Sequence, residues 1–487
     1  MNMTLAQLQA WLPLARPEGK ANALPNTDAW NAVRIQAVRT DSRSVVNGDL
    51  FVALKGENFD GSAFLAQAQA QGAVAVLLED AGATRNALNL KDVSVPVLCV
   101  PNVREALGEL SAAWRSQFDL ALVGVAGSNG KTTVTQMIAS ILREDPARPS
   151  LATQGNFNNE IGVPLTLFNL RAQHQRAVVE LGMNHPGEIA VLARYAAPTV
   201  ALVNNAQREH QEFMATVQAV AEENGQVIRA LPANGVAVFP AQDEFTSLWK
   251  NLAGARSVMC FGFDQGQVQA HALQWAGGAW QFDLVTPTLS LPCRLQIAGR
   301  HNVLNALAAA TCALAAGVDL PTVVRGLETF EAVKGRSKTW HWVLGEHRMT
   351  VIDDTYNANP DSVRAAIDVL AELPASRLLV LGDMGEVGNQ GQSYHAEVGA
   401  YAQSRGIQAL FTLGDLSQAS SRVFKHARHF QDMASLQAAV THSAVQFQSI
   451  LVKGSRFMKM EQVVQALEQQ AQPWAPASRE SEAVHAA

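Results

Sequence analysis

The sequence predicts an α/β protein of three domains around a central, parallel-sheet nucleotide-binding core. Its 487 residues suffice for roughly three domains at about 150 residues each. Two separate series of short, continuous apolar runs alternate with helical patterns, the pattern of strands buried on both faces of a parallel sheet. A glycine-containing turn ending in Lys-Thr directly follows the first strand of the first series.

Composition narrows the function classes. Hydrophobic residues make up 48% and charged residues 16%, with 34 Gly and 19 Pro, which excludes wholesale disorder and collagen-like structure. A net charge of -6 provides no broad cationic field, so nucleic acid is not expected as the main partner and any anion must meet a local site. Cys99, Cys260, Cys293 and Cys312 form no C-x-x-C pair and read as reduced, mostly buried thiols rather than a zinc or disulfide framework. The N-terminus, Met1-Asn-Met-Thr-Leu-Ala-Gln-Leu, lacks the basic stretch of a secretory signal. The longest apolar run, Leu304 to Leu320, is interrupted by Asn305, Thr311 and Asp319 and falls short of the roughly 20 residues that span a bilayer; it reads as a buried, Ala-rich helix.

Taken in order, Val74-Ala-Val-Leu-Leu and Val95-Pro-Val-Leu-Cys-Val read as strands around a helix over Ala63 to Gln71, a small α/β module. The core begins near Phe118, with strands expected at Leu120-Ala-Leu-Val-Gly-Val, Ala177-Val-Val-Glu-Leu-Gly, Val200-Ala-Leu-Val-Asn-Asn and Val236-Ala-Val-Phe. Residues 255 to 297 show short strand-like pieces with Gly turns, a β-rich appendage. A second series at Met349-Thr-Val-Ile-Asp-Asp, Leu378-Leu-Val-Leu-Gly, Ala409-Leu-Phe-Thr-Leu-Gly and Ile450-Leu-Val-Lys-Gly predicts another α/β domain, with a hinge at Glu331-Ala-Val-Lys-Gly-Arg. No period of 20 to 50 residues recurs, so a solenoid is not expected. From Gln472, through Pro473 and Pro476, the chain reads as a frayed tail. The expected domains are therefore 1–115, 116–330 and 331–471, with a tail over 472–487.

The strongest local signal is Gly127-Ser-Asn-Gly-Lys-Thr-Thr, between the Leu120 to Val125 strand and a helical pattern reaching Leu142. In such a turn the backbone N–H groups of Gly127, Ser128, Asn129 and Gly130 close around phosphate oxygens and the helix N-terminus adds a favourable dipole. Lys131 supplies a point charge, and Thr132 offers a hydroxyl to Mg²⁺, with Thr133 behind it. Val125 stands where the general pattern has its first Gly, and an ordinary strand-to-helix turn is the alternative. Phosphate binding alone leaves kinase, hydrolase, ligase and ATP-gated scaffold open. Glu180 and His210 each follow an expected buried strand, near the carboxyl ends where ligands of open sheets collect. A carboxylate suits Mg²⁺; His is a less usual ligand, and spacing alone reads His210 as a surface histidine.

Together with Gly299-Arg-His-Asn-Val-Leu-Asn-Ala-Leu-Ala-Ala, these residues resemble the ATP-dependent Mur ligase family over nearly the whole chain. That family joins amino acids or peptides to a peptidoglycan precursor. Asp353-Asp-Thr-Tyr-Asn-Ala-Asn-Pro-Asp-Ser, Leu381-Gly-Asp-Met-Gly-Glu-Val-Gly and Val452-Lys-Gly-Ser-Arg are similar to the members that add D-alanyl-D-alanine to UDP-N-acetylmuramoyl-tripeptide, and the Asp-Asn-Pro-Arg string of the diaminopimelate-adding members is absent. Folylpolyglutamate synthetase shares the core but not this third-domain signature. The resemblance implies an N-terminal domain for the UDP end, a central ATPase domain and a C-terminal Rossmann-like domain that closes over the site. Ser42 and Arg43, in Thr40-Asp-Ser-Arg before Gly48-Asp-Leu-Phe-Val-Ala-Leu-Lys-Gly, would contact the uridine nucleotide. Asn156, Asn158 and Asn159 lie in the loop that would hold the muramoyl-peptide.

The resemblance further assigns Lys131 and Thr132 to the phosphates and one magnesium, Glu180 and His210 to metal, Asn302 and Asn305 to the segment lining the adenine pocket, and Arg336 to the phosphates from the hinge. Asp354, Tyr356, Asn357 and Asn359 would approach the nucleotide and the incoming dipeptide. One departure stands out. The family usually places a carbamylated lysine shortly after the His ligand, where it holds a second magnesium; here Glu223-Asn-Gly-Gln puts Asn224 at that position. An amide cannot be carbamylated, so a weaker second metal site, helped by Glu222 or Glu223, and indifference to bicarbonate are expected. The reaction implied is transfer of the γ-phosphoryl to the tripeptide carboxylate, then attack by the dipeptide amine, with His210 and Asp354 as candidate bases. A cytoplasmic location is expected from the missing signal and the need for ATP; a monomer is expected as well, though nothing in the residues fixes the oligomeric state.

Overall fold

The computed structural model describes residues 1–19, 24, 27–56, 59–80 and 93–474. The chain divides into two compact units: Met1–Gly124 with Arg148–Gly182 and Ala190–Pro198, and Val125–Ala147 with Met183–Ile189 and Thr199–Ala487.

The first unit contains a five-stranded sheet in the order Arg16–Gly19, Pro96–Val100, Ala75–Glu79, Asp49–Ala53, Ala37–Arg39. It is parallel except at the Arg16–Gly19 edge. Successive side chains alternate between faces, so Phe51, Ala53, Val76, Leu78 and Val97 share one core while Leu50, Val52, Leu77 and Leu98 are buried on the other side. The expected Ala63 to Gln71 helix begins as a 3₁₀ turn at Gly61–Phe64 and becomes α-helical over Leu65–Ala70. Strands Ser150–Ala152 and Arg176–Glu180 pair in parallel in the same unit, and the second of these carries Glu180 at its end.

The second unit begins inside strand Ala121–Ala126, at Val125, and continues through the phosphate-loop motif into helix Lys131–Arg143. Val200–Val203, Val236–Pro240 and Ser257–Gly262 run parallel. Val268–Ala276 follows them, and Ala279–Val285 and Ser290–Leu295 add on antiparallel. The expected β-rich appendage over 255–297 is thus the continuation of a sheet, parallel through Val268–Ala276 and antiparallel beyond it. Helix Arg300–Ala315 is buried along nearly its whole length, as its small, apolar residues allow.

The C-terminal segment of this unit is a seven-stranded sheet: Ala427–Phe430, Ala409–Leu413, Arg377–Gly382, Ser449–Lys453, His347–Asp354, Lys338–Leu344, Gln472–Pro473. The first five are parallel and the last two antiparallel. Ile352, Leu379, Leu381 and Leu451 enter one core and Val351, Leu378, Val380 and Ile450 the other, the doubly covered arrangement that continuous apolar runs require. Strand Lys338–Leu344 was not expected, because Trp340 and Trp342 alternate with polar residues instead of forming an apolar run. The expected tail starts as structure: Gln472 pairs with Val343, and the Trp474 N–H donates to the His341 carbonyl. The rest of the tail, 475–487, lies outside the described residues. Among those described, no helix is long and apolar enough to cross a membrane.

Candidate nucleotide and ligation site

The motif after strand Ala121–Ala126 forms a closed turn. Gly127 and Gly130 adopt φ of +133° and +83°, a region that Cβ-bearing residues avoid, and a Cβ at Gly130 would lie 2.5 Å from Asn305 Oδ1. The amides are held from outside: Gly127 N donates to Asn224 Oδ1 (2.8 Å), Ser128 N to the Asn205 carbonyl (3.1 Å) and Asn129 N to Asn205 Oδ1 (2.9 Å). Lys131 Nζ donates to the carbonyls of Gly127 and Ser128 and stands 3.3 Å from Glu209 Oε2. Both side chains are largely buried, with 14% and 5% exposure. Thr132 and Thr133 are buried in the first turn of the helix, and a helix N-terminus favours an anion.

Asn302 and Asn305 do not stand alone. Asn305 Nδ2 donates to Asn302 Oδ1, and Asn305 Oδ1 accepts from Asn204 Nδ2, each at 2.9 Å. Asn204 Nδ2 also donates to the Asn129 carbonyl (2.8 Å), and Asn359 Nδ2 donates to Asn129 Oδ1 (2.9 Å). A chain of amides therefore runs from helix Arg300–Ala315, through the phosphate loop, to Asn359. Asn359 also caps helix Pro360–Glu372 through a reciprocal pair of bonds with Ser362.

The segment Arg208-Glu209-His210 lies beside this loop. Arg208 is forked onto Asp361, at 2.6 to 3.2 Å, and onto Glu397, at 2.8 and 3.1 Å. His210 Nδ1 is 2.6 Å from Glu386 Oε2, and that imidazole holds the Glu386 carboxyl below its ordinary range. His210 and Glu386 both have left-handed backbones, φ +47° and +56°, a strained state for such residues that recurs at functional sites. Gly385 N donates to Ser455 Oγ (2.7 Å), and Met384 N to His395 Nε2 (2.9 Å), which fixes the loop presenting Glu386.

Arg208, Glu209, Glu386 and Asp361 were not singled out from sequence. Their meaning lies in partners as many as 189 residues away; the available signals were Glu386, inside the Gly-Asp-Met-Gly-Glu string, and Asp361, inside the Asp353 to Ser362 string. Glu222 and Glu223, expected beside a metal, are engaged otherwise: Glu222 Oε1 accepts from Gln218 Nε2 and Glu223 Oε1 from Ile189 N.

Among the third-domain residues, Asp354 receives Lys453 Nζ at 2.6 Å and Ser337 N at 3.0 Å. The Arg336 guanidinium lies 4.0 Å from the centre of the Tyr356 ring, a cation–π stack, and Asn357 is exposed.

In the first unit Asn158 Nδ2 donates to Glu180 Oε1 (2.8 Å), and Thr153 Oγ1 accepts from Glu180 N (3.0 Å). Asn159 Oδ1 accepts from the amides of Ile161 and Gly162, while Asn156 is exposed. Ser42 is buried against Gln67. Arg43 is exposed and clasps Asp41, holding that carboxyl at about 2.

Among the described residues no group of three or more His, Cys, Asp or Glu side chains is arranged to hold a metal. Phosphate-bound magnesium takes only one or two protein carboxylates beside phosphate oxygens and water, so the hard donors Thr132 and Glu209 of the second unit fit that ion in kind.

Comparison with known proteins matches the descriptions "Mur ligase family, catalytic domain" over 34–115, "Mur ligase middle domain" over 125–313 and "Mur ligase, glutamate ligase domain" over 336–456. A UDP-N-acetylmuramoyl-tripeptide--D-alanyl-D-alanine ligase from Escherichia coli is 39% identical over 441 residues, 90% of this chain and 94% of that protein. The crystal structure of MurF from Acinetobacter baumannii superposes with a TM-score of 0.86 at 34% identity, covering 96% of this chain and 99% of that one. MurF from Thermotoga maritima in complex with ADP superposes with a TM-score of 0.77 at 25% identity, covering 89% and 97%. A phosphate loop tied to a third-domain helix, in a chain similar to these proteins along almost its entire length, places it: the chain belongs to the Mur ligase family.

Proposed function

We propose that this protein is an ATP-dependent amide ligase that adds D-alanyl-D-alanine to UDP-N-acetylmuramoyl-tripeptide, forming ADP and phosphate, in peptidoglycan precursor synthesis. One observation carries the reading beyond phosphate binding: the Lys131 loop is joined, through Asn129 to Asn359 and through Arg208 to Asp361, to the Asp353–Asp361 segment that resembles dipeptide-adding ligases. The names of the relatives support the same substrates. The three matched stretches fall inside the expected segments 1–115, 116–330 and 331–471, which we assign to the UDP-muramoyl-peptide, ATP and the third, Rossmann-like part. Ser42 and Arg43 would serve the uridine nucleotide; Asn156, Asn158 and Asn159 the muramoyl-peptide; Asn302, Asn305, Arg336 and Asp354 the nucleotide; Tyr356, Asn357 and Asn359 the dipeptide end.

A peptide carboxylate is a poor electrophile at neutral pH, and phosphorylation makes it a good one. The amides of Gly127, Ser128 and Asn129, expected on the phosphates, are spent on Asn224 and Asn205, so Lys131 and the N-terminus of helix Lys131–Arg143 are left to orient the terminal phosphates and offset the charge spread over the γ-phosphoryl as it passes to the tripeptide carboxylate. The neutral amine of the dipeptide then attacks the acyl phosphate, and the tetrahedral intermediate collapses to amide and inorganic phosphate. Thr132, Glu180 and His210 are the residues we assign to magnesium, which when bound neutralises phosphate charge. Of the two candidate bases for the amine, Asp354 is engaged by Lys453 and His210 is assigned to the metal and lies against Glu386, so neither is singled out. The acyl phosphate must be kept from water.

The test is phosphate release by the purified chain, expected as a monomer in light scattering. Release should require ATP, the muramoyl-tripeptide and D-alanyl-D-alanine together. Glutamate replacing the dipeptide would point to a folylpolyglutamate-type ligase, and release without either acceptor would contradict ligation.

A further inference from the structure

The carboxylate nearest the phosphate-loop lysine belongs to Glu209, which no comparison assigns. It is 95% buried. Oε2 lies 3.3 Å from Lys131 Nζ and 3.8 Å from His210 Nε2, while Oε1 accepts from Asn224 Nδ2 at 3.3 Å. Asn224 is itself 1% exposed and spends its other donor on the Val220 carbonyl (3.1 Å) and its acceptor on Gly127 N (2.8 Å). One amide thus binds the first residue of the phosphate loop and aims the carboxylate. Only a group with both a donor and an acceptor can do this; a lysine there has no acceptor for Gly127.

A buried carboxylate paired with the lysine meant for terminal phosphates has a second use. When phosphate oxygens engage Lys131, the Glu209 carboxylate stays clamped by Asn224 beside that lysine. A carboxylate oxygen in that place is of the hard kind that a divalent cation bound with phosphate takes.

We propose that Glu209, aimed by Asn224, is a metal-ligating carboxylate of the nucleotide site, providing the negative charge beside the terminal phosphates from an unmodified side chain. The carboxylate expected from Glu222 or Glu223 is thus supplied by a different residue. Asn224 is a positioning residue; Glu209 touches the ion. The inference rests on the ATP-binding half of the proposed function and not on the identity of the acceptor.

The test is Mn²⁺ binding to the full chain saturated with β,γ-methylene ATP, followed by paramagnetic resonance of the free ion, with no muramoyl-peptide present. Glu209→Gln keeps the shape and removes the charge. It should weaken Mn²⁺ binding tenfold or more, while the metal-free analogue binds at least as well as to wild type, because a negative charge beside Lys131 has gone. Asn224→Ala should weaken Mn²⁺ binding in the same direction. Mn²⁺ affinity within twofold of wild type in Glu209→Gln would overturn the proposal. A second arm needs no variant: wild-type Mn²⁺ affinity should be the same in CO₂-depleted and bicarbonate buffers, and a rise with bicarbonate would equally overturn it. Wild type that failed to bind the analogue at all would instead remove the ATP site, a distinguishable failure.

Discussion

Lys131 holds its ammonium against two carbonyls of its own turn and a buried carboxylate, so it is oriented before any phosphate arrives. Lys131→Ala should leave the circular dichroism spectrum intact and cut turnover by 10²-fold or more, since one electrostatic contact to a transferring group commonly supplies about 3 kcal/mol of barrier lowering. Full activity in the folded variant would contradict the assigned role. The lysine, both threonines and the glycines were legible because their chemistry is written in seven consecutive residues. Glu209 and Arg208 were not, because charged residues in a loop carry no local pattern, and only the fold brings Asn224, Asp361 and Glu397 to them. Asn224 was legible as a departure from the family, but what it bonds was not.

Strand, turn and helix act together around the phosphate loop. Gly130→Ala forces a Cβ into a left-handed turn, 2.5 Å from Asn305 Oδ1 and 2.8 Å from Asn204 Nδ2. The backbone strain alone is about 1–2 kcal/mol, so thermal denaturation should show a lower Tm, and equilibrium titration weaker nucleotide binding. At the next connection, Arg208 links its loop to helices Pro360–Glu372 and Gly391–Ser404 through Asp361 and Glu397. Arg208→Met should cost on the order of 2 kcal/mol, as charge-assisted hydrogen bonds do. The Arg208 guanidinium holds the Glu397 carboxyl below its ordinary 4.5. That contribution is complete above the unfolded value and lost as pH falls through the folded one; the stability gap between wild type and Arg208→Met should therefore narrow in acid, which denaturant titration at several pH values would reveal. Continuous apolar runs made the buried strands legible to within a residue or two. The antiparallel Lys338–Leu344 and Gln472–Pro473 edge escaped, because its tryptophans alternate with polar residues and its partner lies more than a hundred positions on.

Across the whole molecule, the expected reduced state of the thiols agrees with their burial: Cys99, Cys260, Cys293 and Cys312 are all free and buried. Burial pushes the Cys293 thiol up to about 12 and raises those of Cys260 and Cys312. A disulfide thiol reagent at neutral pH should label none of the four in the native protein and all four after unfolding; rapid native labelling would contradict this. Family membership was legible from motifs spread from Thr40 to Arg456, since phosphate and peptide recognition require particular residues at several distant points. The two compact units cut across the expected segments 1–115 and 116–330, because those bounds lie between series of apolar runs whereas compactness depends on which stretches pack together. All of this serves a single chemical event, activation of an acid by ATP. The most direct measurement is turnover with the tripeptide's terminal carboxylate labelled with ¹⁸O, followed by mass analysis of the released phosphate. One labelled oxygen should appear in each phosphate formed; unlabelled phosphate at full turnover would contradict the acyl-phosphate route.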